Sequence, residues 1–123
     1  MTFPRLRRVA TRRNVPPMFI AWTTVGTSDD ADRLAADVVA GGLAACVQID
    51  GPVVSHFRWE GKHERVEEFR LTFKVLPAQL AALEKQVLDA HPYDIPEWIV
   101  VQADQVGEKY LSWAERTVHS PPL

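Results

Sequence analysis

Residues 43–75, LAACVQIDGPVVSHFRWEGKHERVEEFRLTFKV, read as two long strands joined by a turn at Glu60-Gly61-Lys62 and bent near Gly51-Pro52. Phe69, Leu71, Phe73 and Val75 alternate with Arg70, Thr72 and Lys74, the period of a strand with one buried face. The rest of the chain is organised to cover or extend this hairpin.

Upstream, MFIAWTTV at 18–25 is a strand of nearly continuous apolar character, and Gly26-Thr27 turns the chain out of it. Ser28 is the expected N-cap of a helix, with Asp29 and Asp30 placed where the helix dipole favours acids. Ala31, Leu34, Ala35, Val38 and Val39 form its apolar stripe, and Gly41-Gly42 stops it. Downstream, Pro77 suits the first turn of a second helix. Leu80, Leu83, Val87 and Leu88 are its stripe, and Pro92 ends it near His91. A fourth strand is expected over Glu97 to Ala103, followed by a short helix over Gly107 to Thr117 packing Tyr110, Leu111 and Ala114.

The order β-α-β-β-α-β plus a terminal helix predicts an α+β, ferredoxin-like sandwich, an antiparallel sheet with helices on one face. We place this domain at 18–118, after a disordered basic tail at 1–17 and before a frayed end at 119–123. Met18 stands as an alternative start.

With 123 residues there is room for one core, and 46% hydrophobic with 24% charged residues is the balance of a soluble globular chain. No apolar run approaches the roughly 20 residues of a membrane span. The first 17 residues hold five of the 14 Lys and Arg and none of the 16 Asp and Glu, so the body is acidic. An acidic body disfavours polyanions, and we expect no nucleic-acid and no membrane partner. The single Cys46 excludes an intramolecular disulfide and points to a reducing compartment, the cytoplasm.

Helices on one face leave the other sheet face open. Ile20 with Trp22, Val47 with Ile49, and Phe57 with Trp59 are read as carrying apolar surface to both sides. Such a face is rarely left to water, and the long hairpin offers unpaired edges. Packing of sheets from several copies cures both, so a homo-oligomer is expected.

No GxSxG, P-loop, GxGxxG, CxxC pair or HExxH is present. Cys46 reads as a packed core thiol, or else a soft-metal ligand or redox thiol. His56 and His63 flank the hairpin tip, as solvated positions or as imidazole ligands. His91-Pro92-Tyr93-Asp94-Ile95-Pro96-Glu97 reads as a stiff helix-to-strand turn, or as a rim of hydrogen-bonding groups around a pocket or metal. Trp59-Glu60-Gly61-Lys62 is a hairpin tip, or a contact point for a neighbouring subunit or an anionic ligand. Two other classes share this element order. An RNA-recognition domain needs a Gly-rich aromatic central strand, and FRLTFKV has no glycine. An acylphosphatase-like hydrolase needs an anion-cradling loop after the first strand, where VGTSDD offers acids.

LAACV at 43–47, RWEGK at 58–62, HPYDIPE at 91–97 and YLSW at 110–113 resemble the CutA family of divalent-ion tolerance proteins over about Phe19 to Val118. The resemblance implies a homotrimer of ferredoxin-like subunits, similar in architecture to the PII signalling proteins. It implies a role in tolerance of divalent cations, Cu2+ especially, without a catalysed reaction. Copper-binding relatives offer a Cys in the first strand and paired histidines before Pro-Tyr. Here those positions are Thr23 and Ala90-His91, so His91 is the metal-ligand candidate carried over. Trp59, Lys62, Tyr93 and Glu97 match family motifs and are candidates to line an intersubunit cleft.

Overall fold

The hairpin forms as its turn chemistry requires. Strand β2 (Cys46–Trp59) and strand β3 (Lys62–Val75) are joined by Glu60 and Gly61 alone, at φ 52° and 80°. Two successive residues with positive φ make the tight turn whose twist matches that of the flanking strands, and glycine takes the second position without strain. Pairing runs from Trp59↔Lys62 down to Cys46↔Lys74 and breaks between Asp50 and Val53. The cis Gly51-Pro52 bond lies in that break, and β2 carries an extra residue there.

The computed structural model describes residues 15–119. Of the tails expected at 1–17 and 119–123, residues 1–14 and 120–123 lie outside them. Strand β1 (Met18–Val25) pairs antiparallel with both β3 and strand β4 (Ile99–Ala103), giving the sheet order β2-β3-β1-β4. Helix α1 (Ser28–Ala40) links β1 to β2. A short 3-10 turn at Pro77–Gln79 leads into helix α2 (Leu80–Ala90), and helix α3 (Glu108–Thr117) follows β4. This is the expected α+β, ferredoxin-like arrangement with an added C-terminal helix.

The core lies between the sheet and the pair α1 and α2. Ala21 and Val25 from β1, Leu71, Phe73 and Val75 from β3, Leu34 and Val38 from α1, and Leu83 and Val87 from α2 are buried together. A second cluster joins Met18, Ala45, Leu76 and Ala114, and so ties α3 to the sheet end. Helix α1 stops as expected: Leu43 N–H donates to the Val38 carbonyl and Gly42 N–H to that of Val39. Gly42 takes φ 70°, and a Cβ there would stand 2.7 Å from the Val118 carbonyl oxygen.

Several local expectations are corrected. Thr27, one residue before Ser28, is the N-cap, its hydroxyl accepting from Asp30 N–H at 3.1 Å. Both residues carry the hydroxyl a cap needs, and backbone geometry chooses. Val39 and Leu88 are exposed, so both helix stripes are narrower than their apolar spacing suggested. Tyr110 is exposed as well, leaving Ala114, with half-buried Leu111 packed beside it, to anchor α3. Strand β4 begins at Ile99, because Glu97 gives its carbonyl to Thr23 and Trp98 packs against the core.

Val47 and Ile49 pair with Phe73 and Leu71 and pack against the helix-covered core, not the open face. The open face is built from Ile20 and Trp22 on β1 opposite Val101 and Ile99 on β4. Ile99 is 50% exposed and Val101 42%.

Candidate functional site

The hairpin beyond its bend and the connector from α2 to β4 face each other across a cleft of about 870 Å3. Trp59, Phe57, Tyr93 and Ile95 give it apolar walls. Glu64, Glu68, Asp94 and Glu97 bring four carboxylates, and its lining includes no Lys or Arg.

Two prolines stiffen the connector, and side-chain hydrogen bonds fix it to β1. Thr23, fully buried, donates its hydroxyl proton to the Glu97 carbonyl at 2.7 Å. His91 closes α2 and turns its ring onto the same strand. Its Nε2 lies 3.0 Å from the Thr24 carbonyl and 3.0 Å from Thr23 Oγ1. A carbonyl can only accept, so Nε2 carries the proton. Nδ1 then accepts from Tyr93 N–H at 3.0 Å. A neutral ring with both nitrogens engaged thus aims Tyr93 across the cleft, where its hydroxyl donates to Glu68 Oε2 at 2.8 Å.

Glu68 is a buried acid on β3, and this bond supplies its partner. Burial, the hydrogen bond to Glu68 and that residue's charge all push the Tyr93 hydroxyl well above the ordinary tyrosine range, so it stays protonated. The net effect on His91 is in the opposite direction. Burial pushes its pKa below the ordinary 6.5, against smaller upward pulls from the Thr24 carbonyl, Asp30 and Glu68.

A lowered native pKa means that folding favours the neutral ring. That stabilisation is complete above 6.5 and is lost as the pH falls through the native value. Protonation also puts a second donor on Nδ1, facing Tyr93 N–H. We therefore expect the His91 ring to titrate below pH 6.5 by NMR, with the Tyr93 amide exchanging faster on the acid side. A midpoint above that value, or an amide indifferent to the transition, contradicts this geometry.

Of the residues expected at a cleft, Trp59, Tyr93 and Glu97 line one cavity. Lys62 pairs with Trp59 across the turn but is not among the lining residues. His91 stands behind Tyr93 and touches Thr23, so the two positions carried over from copper-binding relatives do meet in space. As arranged they form a hydrogen-bonded pair, and a metal at His91 has to displace one of its bonds. Among the described residues no group of three His, Cys, Asp or Glu stands close enough to hold an ion. Glu68 and Thr24 escaped the sequence reading. The alternation of EEFRLTFKV, which puts Glu68 and its neighbour Glu67 on opposite sides of the strand, was the available signal for Glu68.

Fold and cleft together define a small α+β protein that presents acids and aromatic rings along the outer half of a long hairpin. Residues 19–117 match the model of the CutA1 divalent ion tolerance protein family, and the chain belongs to that family. The chloroplastic protein CutA 1 of Oryza sativa is 32% identical over 110 residues, which are 89% of this chain and 62% of that protein. The chain thus spans less than two thirds of that relative's length. The divalent-cation tolerance protein CutA of Yersinia pestis is 39% identical over 83 residues, 68% of this chain and 70% of that protein. The structure of CutA from Synechococcus elongatus superimposes with a TM-score of 0.79 at 36% identity, covering 82% of this chain and 89% of that one.

Proposed function

We propose that this chain acts as a cytoplasmic homotrimer in divalent-cation tolerance or PII-like signalling, binding Cu2+ or another divalent cation in the acidic cleft, with no reaction catalysed. The four carboxylates lining a cleft without Lys or Arg carry this reading, because they attract cations and repel phosphates. The same observation counts against an acylphosphatase-like activity and a nucleic-acid surface. Tyr93, held protonated against Glu68, is a poor base, which fits a site that binds rather than reacts. The carboxylates are spread round the walls, so the ion keeps part of its water or is completed by a neighbouring copy. We assign His91 the positioning of Tyr93 and Lys62 the hairpin tip. Among the described residues no helix is long and apolar enough to cross a membrane.

Mn2+ tests the cleft, since carboxylates suit it and its paramagnetism marks what lies near it. Substoichiometric Mn2+ is expected to broaden the Trp59 and Tyr93 resonances first. Glu68→Gln with Glu97→Gln is expected to weaken that effect about tenfold, the cost of losing two charges from a wet site. Weak broadening spread evenly over the surface would sink the proposal.

A further inference from the structure

The hairpin carries a second constellation, on the side away from the cleft. His56 on β2 and His63 on β3 touch through their rings, with Nδ1 of the first 2.8 Å from Nε2 of the second. The ring centroids are 5.1 Å apart and the planes are tilted by 55°. The turn at Glu60-Gly61 sets this up. It pairs Arg58 with His63 and His56 with Arg65, so the two histidines are diagonal neighbours on one strand face. Alternation along β3 gives His63 the side of Leu71 and Phe73, whereas the cleft-lining Glu64 and Glu68 share the other. His56 borders the cleft by its place between Ser55 and Phe57, and the pleat sends its ring the opposite way.

We propose that His56 and His63 form a two-imidazole chelate for a late first-row divalent ion, Cu2+ or Ni2+. With metal–nitrogen bonds of about 2.0 Å, ligands at a right angle lie about 2.8 Å apart and ligands at a tetrahedral angle about 3.3 Å. The observed 2.8 Å matches the right angle. That spacing is the length of the hydrogen bond now joining the rings, and the preference for Cu2+ and Ni2+ rests on the high affinity of imidazole nitrogen for these ions. At present one ring's N–H donates to the other ring's lone pair. Moving that proton to the donor ring's outer nitrogen leaves two lone pairs facing one small space. Nothing is oxidised or reduced, no proton leaves the pair of neutral rings, and water fills the remaining positions. Both residues are exposed, and their side is opposite to that of Trp22, Thr24 and Glu68, so burial of the open sheet face would leave them accessible.

Arg58 and Arg65 are the cross-strand partners and oppose a cation. Both are exposed, so solvent and salt limit each to less than about a tenfold loss of affinity. This gives the proposal a signed test, because an anion site built from the same four side chains would respond in the reverse sense.

The experiment is calorimetric titration of Ni2+ into the untagged full chain. His56→Ala and His63→Ala are each expected to weaken binding by at least about tenfold, and the double variant no further. Arg65→Ala is expected to tighten it, by up to about tenfold. Asp32→Asn, at an exposed acid on α1 that belongs to neither site, should leave the Ni2+ isotherm unchanged. An isotherm insensitive to both histidine substitutions, or weakened by Arg65→Ala, overturns the proposal. The cleft reading stands or falls separately, on Mn2+ broadening at Tyr93.

Discussion

Phe73→Ala is expected to lower the folding free energy by about 3–5 kcal/mol, the usual cost of deleting a fully enclosed ring. Phe73 is 0% exposed at the centre of β3, among Leu71, Val75, Leu83 and Val87. Its ring meets that of Trp98 at 6.0 Å between centroids. The loss should therefore reach the cleft, because Trp98 adjoins Glu97, whose carbonyl anchors the connector to Thr23. Phe73→Leu keeps most of the volume and should cost less than about 1.5 kcal/mol. Urea unfolding, followed at one fixed chain concentration because the proposed assembly would add to stability by mass action, measures both. A loss below about 1 kcal/mol for the alanine variant would mean that the core collapses around the gap, and that the Trp98 contact is not what holds the connector.

Much of this architecture was legible in the sequence, because the deciding signals are local. Glu60-Gly61 can make only a tight turn, Gly42 tolerates a backbone angle that ends α1, and Pro92 cannot continue α2. Sidedness was harder to read. Val47 and Ile49 could be read only as part of an apolar surface carried to both sides, because alternation states which residues share a side without saying which side. That choice belongs to the pairing with Phe73 and Leu71, and the extra residue at Gly51-Pro52 reverses the parity of everything beyond it.

The site divides in the same way. Trp59, Tyr93 and Glu97 could be named from motifs, but only tertiary structure brings the connector against the hairpin. Glu68 was missed because an acid in a strand is ordinarily solvated, and its partner Tyr93 is 25 positions away in the sequence. The histidine pair was readable in principle. A two-residue turn after Trp59 fixes Trp59 opposite Lys62, and counting back puts His56 diagonal to His63. Read as isolated residues, the two lacked a second ligand; read through the turn register, each supplies the other's.

If the proposed trimer forms, Val101→Glu is expected to convert it to single chains that remain folded. Ile20 faces Val101 and Trp22 faces Ile99 across the β1–β4 pair, forming an apolar patch on the sheet face that α1 and α2 leave open. Val101 is 42% exposed in the single chain, so a glutamate there keeps its water and the fold tolerates it. Within a trimer the same carboxylate would be buried without a partner, at several kcal/mol for each subunit, more than an interface of this kind can absorb. The β4 edge would lose any pairing with a neighbour at the same time. Sedimentation at micromolar chain concentration distinguishes the outcomes. The wild-type chain should run at three times the monomer mass and the variant at one, with unchanged far-ultraviolet circular dichroism. A variant that still sediments with the wild type would show that copies meet elsewhere, on the hairpin extension where Val54, Phe57 and Trp59 are exposed. The cleft would then have to be completed from that side, since Phe57 and Trp59 already form its wall.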